Sequence, residues 1–437
     1  MHSCQRLTAI PLYLLFFLSS WSVIVPRLGI GSVGVGLDDA LAVFVFPFLI
    51  FSLLVDPERR YVRAFWFVVF LFVFFVCLYF PMGSWVNAIR MNEARYPTEL
   101  WQYAKRLTFF LVAFYFVLNV KEGERRAISI ISGSLLFALL IGVVQLTGTP
   151  IGDYFAELYG RSDAMLERLV NRSFGAKRIY GVAGHPNAWG GFSVFAFAIT
   201  APFFLSSVFR GERLHVLIGL VSLFSLINVM FSGSRGAIAS LMVVCSVILV
   251  WYLFTPRVPT LRKTLVTSLV SLTLAFGVYI FWGKIINLIF RFSVLVESAG
   301  GGRDQQILDG LSVIRSAREW LFGSSNAIQR LQGVSHGVEV EPVYLLINYG
   351  LLGVSMLAAI LGVLLYSAYR LMVFRVELSV PLGLGMVSAV AGYMIFSIGY
   401  FFFQELVVGT TFWLFSGAFL ACYQKYTVNY VRRDGCN

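Results

Sequence analysis

The chain is 437 residues long, 58% hydrophobic and only 13% charged, with 42 phenylalanines and a mean hydropathy of +0.80. Soluble domains carry about 25% charged residues, so this composition excludes a cytosolic enzyme, a secreted disulfide scaffold and a disordered regulator. The formal charge of +12 has no Lys/Arg run with interleaved aromatics behind it. It therefore indicates no nucleic acid; it reads as the positive-inside bias of membrane loops together with a basic lumen facing an anion.

In chain order, apolar runs suited to crossing a bilayer are Leu7–Pro26, Ala40–Val55, Ala64–Ile89, Leu107–Val120, Ala127–Gly152 and Ile179–Phe209. They continue as Leu214–Ser234, Gly236–Pro256, Thr264–Gly283, Pro342–Tyr369, Leu378–Gln404 and Leu406–Gln424. Long continuous runs of this kind predict an all-α polytopic membrane protein of about twelve spans. A β-barrel would alternate instead. The first run follows Arg6 and ends without an A-x-A-like site, so it reads as a retained helix, not a cleaved signal. The short Leu107–Val120 run spans if its helix begins near Thr98 and Lys105 and Arg106 snorkel or face the interior.

With the N-terminus inside, every even-numbered crossing ends in a basic knot. These are Arg59, Arg60 and Arg63; Lys121, Arg125 and Arg126; Arg210 and Arg213; Arg257, Arg262 and Lys263; Arg370 and Arg375; then Lys425, Arg432 and Arg433. Count and charge bias agree. The expected organisation is a single membrane domain over 1–437. Its extracytoplasmic loops are 84–104, 149–187 and 284–341, and the last carries an amphipathic helix. In Asp304–Phe322, residues Ile307, Leu311, Ile314 and Leu321 recur at helical spacing, as in a helix lying on the membrane face. Asp153–Arg172 has a similar pattern. No clear internal repeat relates the two halves.

The five cysteines, Cys4, Cys77, Cys245, Cys422 and Cys436, lie near the termini or in apolar runs without a C-x-x-C. Neither a disulfide framework nor a zinc site is expected, and no D-x-D pair offers a divalent metal site.

Four outer-side constellations could carry chemistry. The first is Lys177-Arg178-Ile-Tyr-Gly-Val-Ala-Gly-His185-Pro-Asn187. Its Pro186 suits a helix start, and cations beside a helix N-terminus favour an anion such as phosphate; a plain capped helix entry is the simpler reading. The second is Phe231-Ser-Gly-Ser-Arg235-Gly-Ala. Arg235 falls in a very short outer turn, where its planar guanidinium could grip phosphate oxygens or pair with a loop carboxylate. The third is Gly300-Gly-Gly-Arg303-Asp304, a joint with Arg303 at a helix start. The fourth is His336, Glu339, Glu341 and Pro342-Val-Tyr344, followed by Asn348, Gly350 and Gly353. An imidazole accepts a proton near neutrality, as does a carboxylate raised by burial. Together they describe an extracytoplasmic pocket for an anion with a lipid-soluble part.

Arg178…Gly-His185-Pro-Asn187, Ser-Gly-Ser-Arg235-Gly-Ala and Glu341…Tyr344-Leu…Gly350-Leu-Leu-Gly353 resemble the O-antigen ligase/O-antigen polymerase superfamily over roughly residues 170–370. The resemblance implies a GT-C-like fold with a large periplasmic loop in the bacterial inner membrane. It implies a metal-independent glycosyltransferase without cofactors. The donor would be a glycan on undecaprenyl diphosphate, and the acceptor a lipid A–core sugar or another lipid-linked repeat unit. Carried over by position, Arg235 and Arg303 hold the diphosphate, with Arg178 and Lys177 beside them. His336 is the base, and His185, Asn187 and Tyr344 support the site. One departure stands out. The family often has His-Asn directly before the Tyr-Leu of the next span; here Glu341-Pro342 occupies that place and His336 lies five residues earlier. Either His336 reaches in, or Glu341 is the base. Ligase and polymerase both remain open. The rival classes are a twelve-span flippase or carrier of lipid-linked sugars, against which the unusual arginines and long loops on one face speak, and an envelope scaffold, which predicts no need for Arg235.

Overall fold

The computed structural model describes residues 2–30, 33–55, 62–74, 97–160, 178–210, 216–254, 264, 303–323, 339–374, 378–403 and 405–434. Helices dominate: α1 (His2–Trp21), α2 (Leu37–Val55), α3 (Arg63–Phe74), α4 (Pro97–Asn119), α5 (Gly123–Val144), α6 (Pro150–Tyr159) and α7 (Pro186–Arg210). They continue as α8 (Val216–Ser232), α9 (Arg235–Phe254), α10 (Arg303–Ser312), α11 (Ala317–Phe322), α12 (Glu341–Phe374), α13 (Ser379–Phe396) and α14 (Leu406–Asp434). A departure from the all-α expectation is a short antiparallel hairpin, Leu28–Ile30 against Val33–Val35. The described part of each apolar run read from the sequence overlaps a helix; the third run beyond Phe74 and the ninth apart from Thr264 lie outside the described residues.

Among the described residues, 6 helices are long and apolar enough to cross a membrane: α5, α7, α9, α12, α13 and α14. Peripheral helices leave large apolar side chains uncovered, including Phe44 on α2, Phe70 on α3 and Phe254 on α9. Water penalises such surfaces; bilayer hydrocarbon does not.

The centre is built differently. Helix α4 is buried on every side from Lys105 to Val117, and its main partner is α14, itself buried from Val407 to Gln424. Gly417 lets the two backbones meet, since a Cβ there would stand 2.0 Å from Phe110 O. Small residues permit such close approach between spanning helices. The sequence reading that α4 begins near Thr98, with Lys105 and Arg106 inward, agrees with its start at Pro97 and their exposures of 0% and 1%. A second group packs α7 against α8 and α13, with α9 on α13.

The 304–322 stretch differs from its expectation. It is two helices, α10 and α11, broken before Ser316, whose hydroxyl caps α11 by accepting from Glu319 N at 3.2 Å. Most of its apolar stripe packs on α12: Val313 and Ile314 are buried with Val343 and Ile347, and Ile307 and Leu311 pack on them, while Leu321 stays 44% exposed.

Candidate functional site

Four helix N-termini meet around the turn that joins α13 to α14. The entry to α7 is fixed first. Arg178 Nε donates to Ser232 O at 2.9 Å and its Nη2 to Asn187 Oδ1 at 2.9 Å. Gln145 accepts from Gly181 N at 2.9 Å and donates to Gly181 O at 3.2 Å. Gly181 has φ 48°, and a Cβ there would sit 2.2 Å from the Trp189 ring, so only glycine fits. Trp189 is anchored in turn by Asn228 Oδ1 at 2.9 Å.

His185 then caps α7. Its Nδ1 accepts from Asn187 N at 3.2 Å, which leaves Nε2 to carry the ring proton. The imidazole lies flat on Tyr400, with centroids 4.8 Å apart and planes 2° from parallel. Tyr400 donates from its hydroxyl to Glu405 Oε1 at 3.2 Å.

Arg235 opens α9. Gly233 turns the chain with φ 60°, and Ser234 Oγ caps the helix by accepting from Ala237 N at 3.3 Å. Gly236 lies against the same turn: a Cβ there would meet Phe396 O at 3.8 Å and Gly399 Cα at 3.9 Å. The half-buried Arg235 thus leaves the helix start beside the segment on which His185 stacks.

Glu341 opens α12 and is fully buried. Its two carboxylate oxygens accept from Phe402 N and Phe403 N, both at 2.8 Å, and its own N–H donates to Ser397 O at 2.9 Å. It therefore brackets the α13–α14 turn onto α12. Tyr344, one turn on, meets Phe401 edge to face at 4.9 Å. Glu405 and Leu406 complete the set by opening α14. Each helix start carries the positive end of a dipole. Four of them converge here with Arg178 and Arg235, set against the carboxylates of Glu341 and Glu405.

Arg303 takes a nearby but different position. At the start of α10 it pairs with Glu339 and donates from Nη1 to Gln306 Oε1 at 2.7 Å; Gln306 Oε1 also accepts from Glu339 N at 3.1 Å. These bonds tie α10 to the residues leading into Glu341. Lys177 and His336 lie outside the described residues. The structure thus brings Arg178, His185, Asn187, Arg235, Glu341 and Tyr344 to one turn, and sets Arg303 behind Glu339.

Tyr400 and Glu405 were missed by the sequence reading. Glu405 is a lone carboxylate between two apolar runs, which is a usable signal. Also missed was the partner of Lys105, whose Nζ pairs with Asp38 and, at 2.9 Å, with Asp39 Oδ1. Arg27 joins at 3.2 Å and 3.1 Å, and Trp101 donates to Asp39 at 2.9 Å. A cleft of about 190 Å³ adjoins this cluster, lined by Arg27, Asp38, Tyr159 and Gly184 among others. Burial, with neighbouring Tyr154, pushes the Tyr159 hydroxyl up to about 12. It stays a donor, to Ile24 O at 2.5 Å.

Compared with known proteins, the chain matches no protein-family model and no curated protein sequence.

Proposed function

We propose that the chain is a glycosyltransferase of the O-antigen ligase/polymerase type. It moves a glycan from undecaprenyl diphosphate to an acceptor hydroxyl, on a lipid A–core sugar or another lipid-linked repeat unit, at the periplasmic face of the bacterial inner membrane. Twelve spans and a GT-C-like arrangement belong to the same reading. The observation that carries it is the meeting of four helix N-termini with Arg178 and Arg235 at one turn of an apolar, helical protein. The order of the three sequence motifs supports it.

The chemistry asks little of the protein. The acceptor oxygen attacks the anomeric carbon, the bond to the diphosphate oxygen breaks, and the hydroxyl proton passes to a base. Arg235 and Arg178 neutralise charge gathering on the leaving diphosphate, as preorganised donors do. Arg303 joins them by exchanging Glu339 for phosphate. His336 is the base in this reading, because Glu341 is buried and engaged by two backbone N–H groups. His185, held by Asn187 and Tyr400, shapes the wall. Two lipid-anchored substrates in one site supply proximity.

The test is transfer from a lipid-linked donor by purified protein. His336→Ala is expected to bind donor and fail to transfer, since a base acts on the acceptor proton alone. Full transfer by His336→Ala would remove the base assignment.

A further inference from the structure

Helix α4 carries two adjacent cations in unlike surroundings. Lys105 is met by two carboxylates. Arg106, 1% exposed, has no ion pair or hydrogen bond among the described residues, and its Nε lacks an acceptor. Its guanidinium lies over the Tyr103 ring, 5.0 Å from the centroid. A cation–π contact offsets a small part of the cost of burying a charge.

Arg106 lines a narrow cleft along α12. The indole of Trp413 lines it too, and its Nε1 is a second buried donor without an acceptor. The remaining wall is mostly apolar, with Leu71 and Phe72 of α3 facing Met356, Leu357 and Ile360 of α12. The charged end is fixed by two contacts. Phe403, also in the wall, is bonded to Glu341 at the start of α12. Arg106 Nε would stand 3.4 Å from a Cβ on Gly409, beside Phe403 O. From that end the cleft follows α12 from Leu345 to Ile360, a run on the order of 20 Å at helical rise. Two unpaired donors at the head of an apolar trough match an anionic amphiphile.

We propose that this cleft binds an anionic phospholipid of the bilayer, its phosphate on Arg106 and Trp413 and one acyl chain along α12. The lining includes neither Arg178 nor Arg235 and meets the α13–α14 turn at Phe403; the proposal does not depend on the glycosyltransferase reading. Phosphate suits the guanidinium, and a net negative headgroup brings no second cation to compete with it.

The experiment is native mass spectrometry of the full-length protein released from nanodiscs of phosphatidylglycerol and phosphatidylcholine in equal parts. Wild type is expected to retain phosphatidylglycerol with about tenfold preference, because the choline cation competes with Arg106 for the phosphate. Arg106→Gln should lose that preference, and Met356→Trp, which fills the trough while leaving the cation, should lose the lipid. Arg235→Ala should retain it. Equal retention of the two lipids by wild type, or undiminished preference in Arg106→Gln, would overturn the proposal. So would retention by a monodisperse Met356→Trp protein, or displacement of the lipid by millimolar inorganic phosphate, which would make this a free-anion site.

Discussion

Glu341 and Arg235 each open a helix at the α13–α14 turn, yet their surroundings give them opposite work. Glu341 spends both carboxylate oxygens on backbone N–H groups at 2.8 Å. Glu341→Gln replaces one acceptor by a donor aimed at an N–H, so stability should fall by about 2 kcal/mol, the scale of a hydrogen bond to a charged group. Thermal unfolding in detergent measures this. An unchanged unfolding temperature with abolished transfer would instead make Glu341 the base. Arg235 stands half-buried at a capped helix start among small residues. Arg235→Ala should lose transfer about a hundredfold, as expected for a contact of roughly 3 kcal/mol, while still inserting and accumulating. Arg235→Lys should recover little, because an ammonium keeps charge without the planar fork. The sequence exposed Arg178, His185 and Arg235 because glycine and proline punctuate the chain around them. It did not expose Tyr400 or Glu405, whose proximity to His185 depends on how α13 and α14 pack rather than on any local pattern.

At the scale of elements, Gly350 decides how α10 and α11 sit on α12. It breaks the helix with φ 63° and ψ −174°, and a Cβ there would stand 2.4 Å from Leu321 O. Gly323, with φ 75°, approaches Asn348 O as closely. Two glycines thus let the end of α11 press into the break. Gly350→Ala should undock α11 and expose residues 313–323 to limited proteolysis, at about 1–3 kcal/mol for the strained backbone alone. Gly362 is the control: nothing lies within 4 Å of its added Cβ, so Gly362→Ala should resist protease as wild type does. Equal resistance of Gly350→Ala would show that the docking tolerates a side chain. Hydropathy located nearly every helix described here, because a bilayer demands long apolar runs. It could not show that the 304–322 stripe faces α12, since a stripe built for a membrane surface and one built for a neighbouring helix have the same period.

For the whole molecule, the helix directions and the loop charges tell one story. Helices α7, α9, α12 and α14 all begin at the shared turn, and the basic knots of Arg210 and Arg213, Arg257 and Arg262, and Arg370 and Arg375 follow the far ends of the first three. Cations are retained on the cytoplasmic side, which is why the proposed function sets this turn on the outer face. Reporter fusions after Arg60, Arg126, Arg213, Arg262 and Arg375 should read cytoplasmic, and fusions near Asp163 and Gln332 external. An external reading at Arg213 or Arg262 would invert the site's exposure. The central claim, glycosyl transfer from a lipid diphosphate at that turn, is tested most directly by the glycan profile of a deletion strain carrying wild-type or Arg235→Ala protein. Loss of the mature surface glycan, with undecaprenyl-diphosphate-linked glycan accumulating and only wild type restoring the profile, is the predicted result; an unaltered profile in the deletion strain, or full restoration by Arg235→Ala, would contradict it.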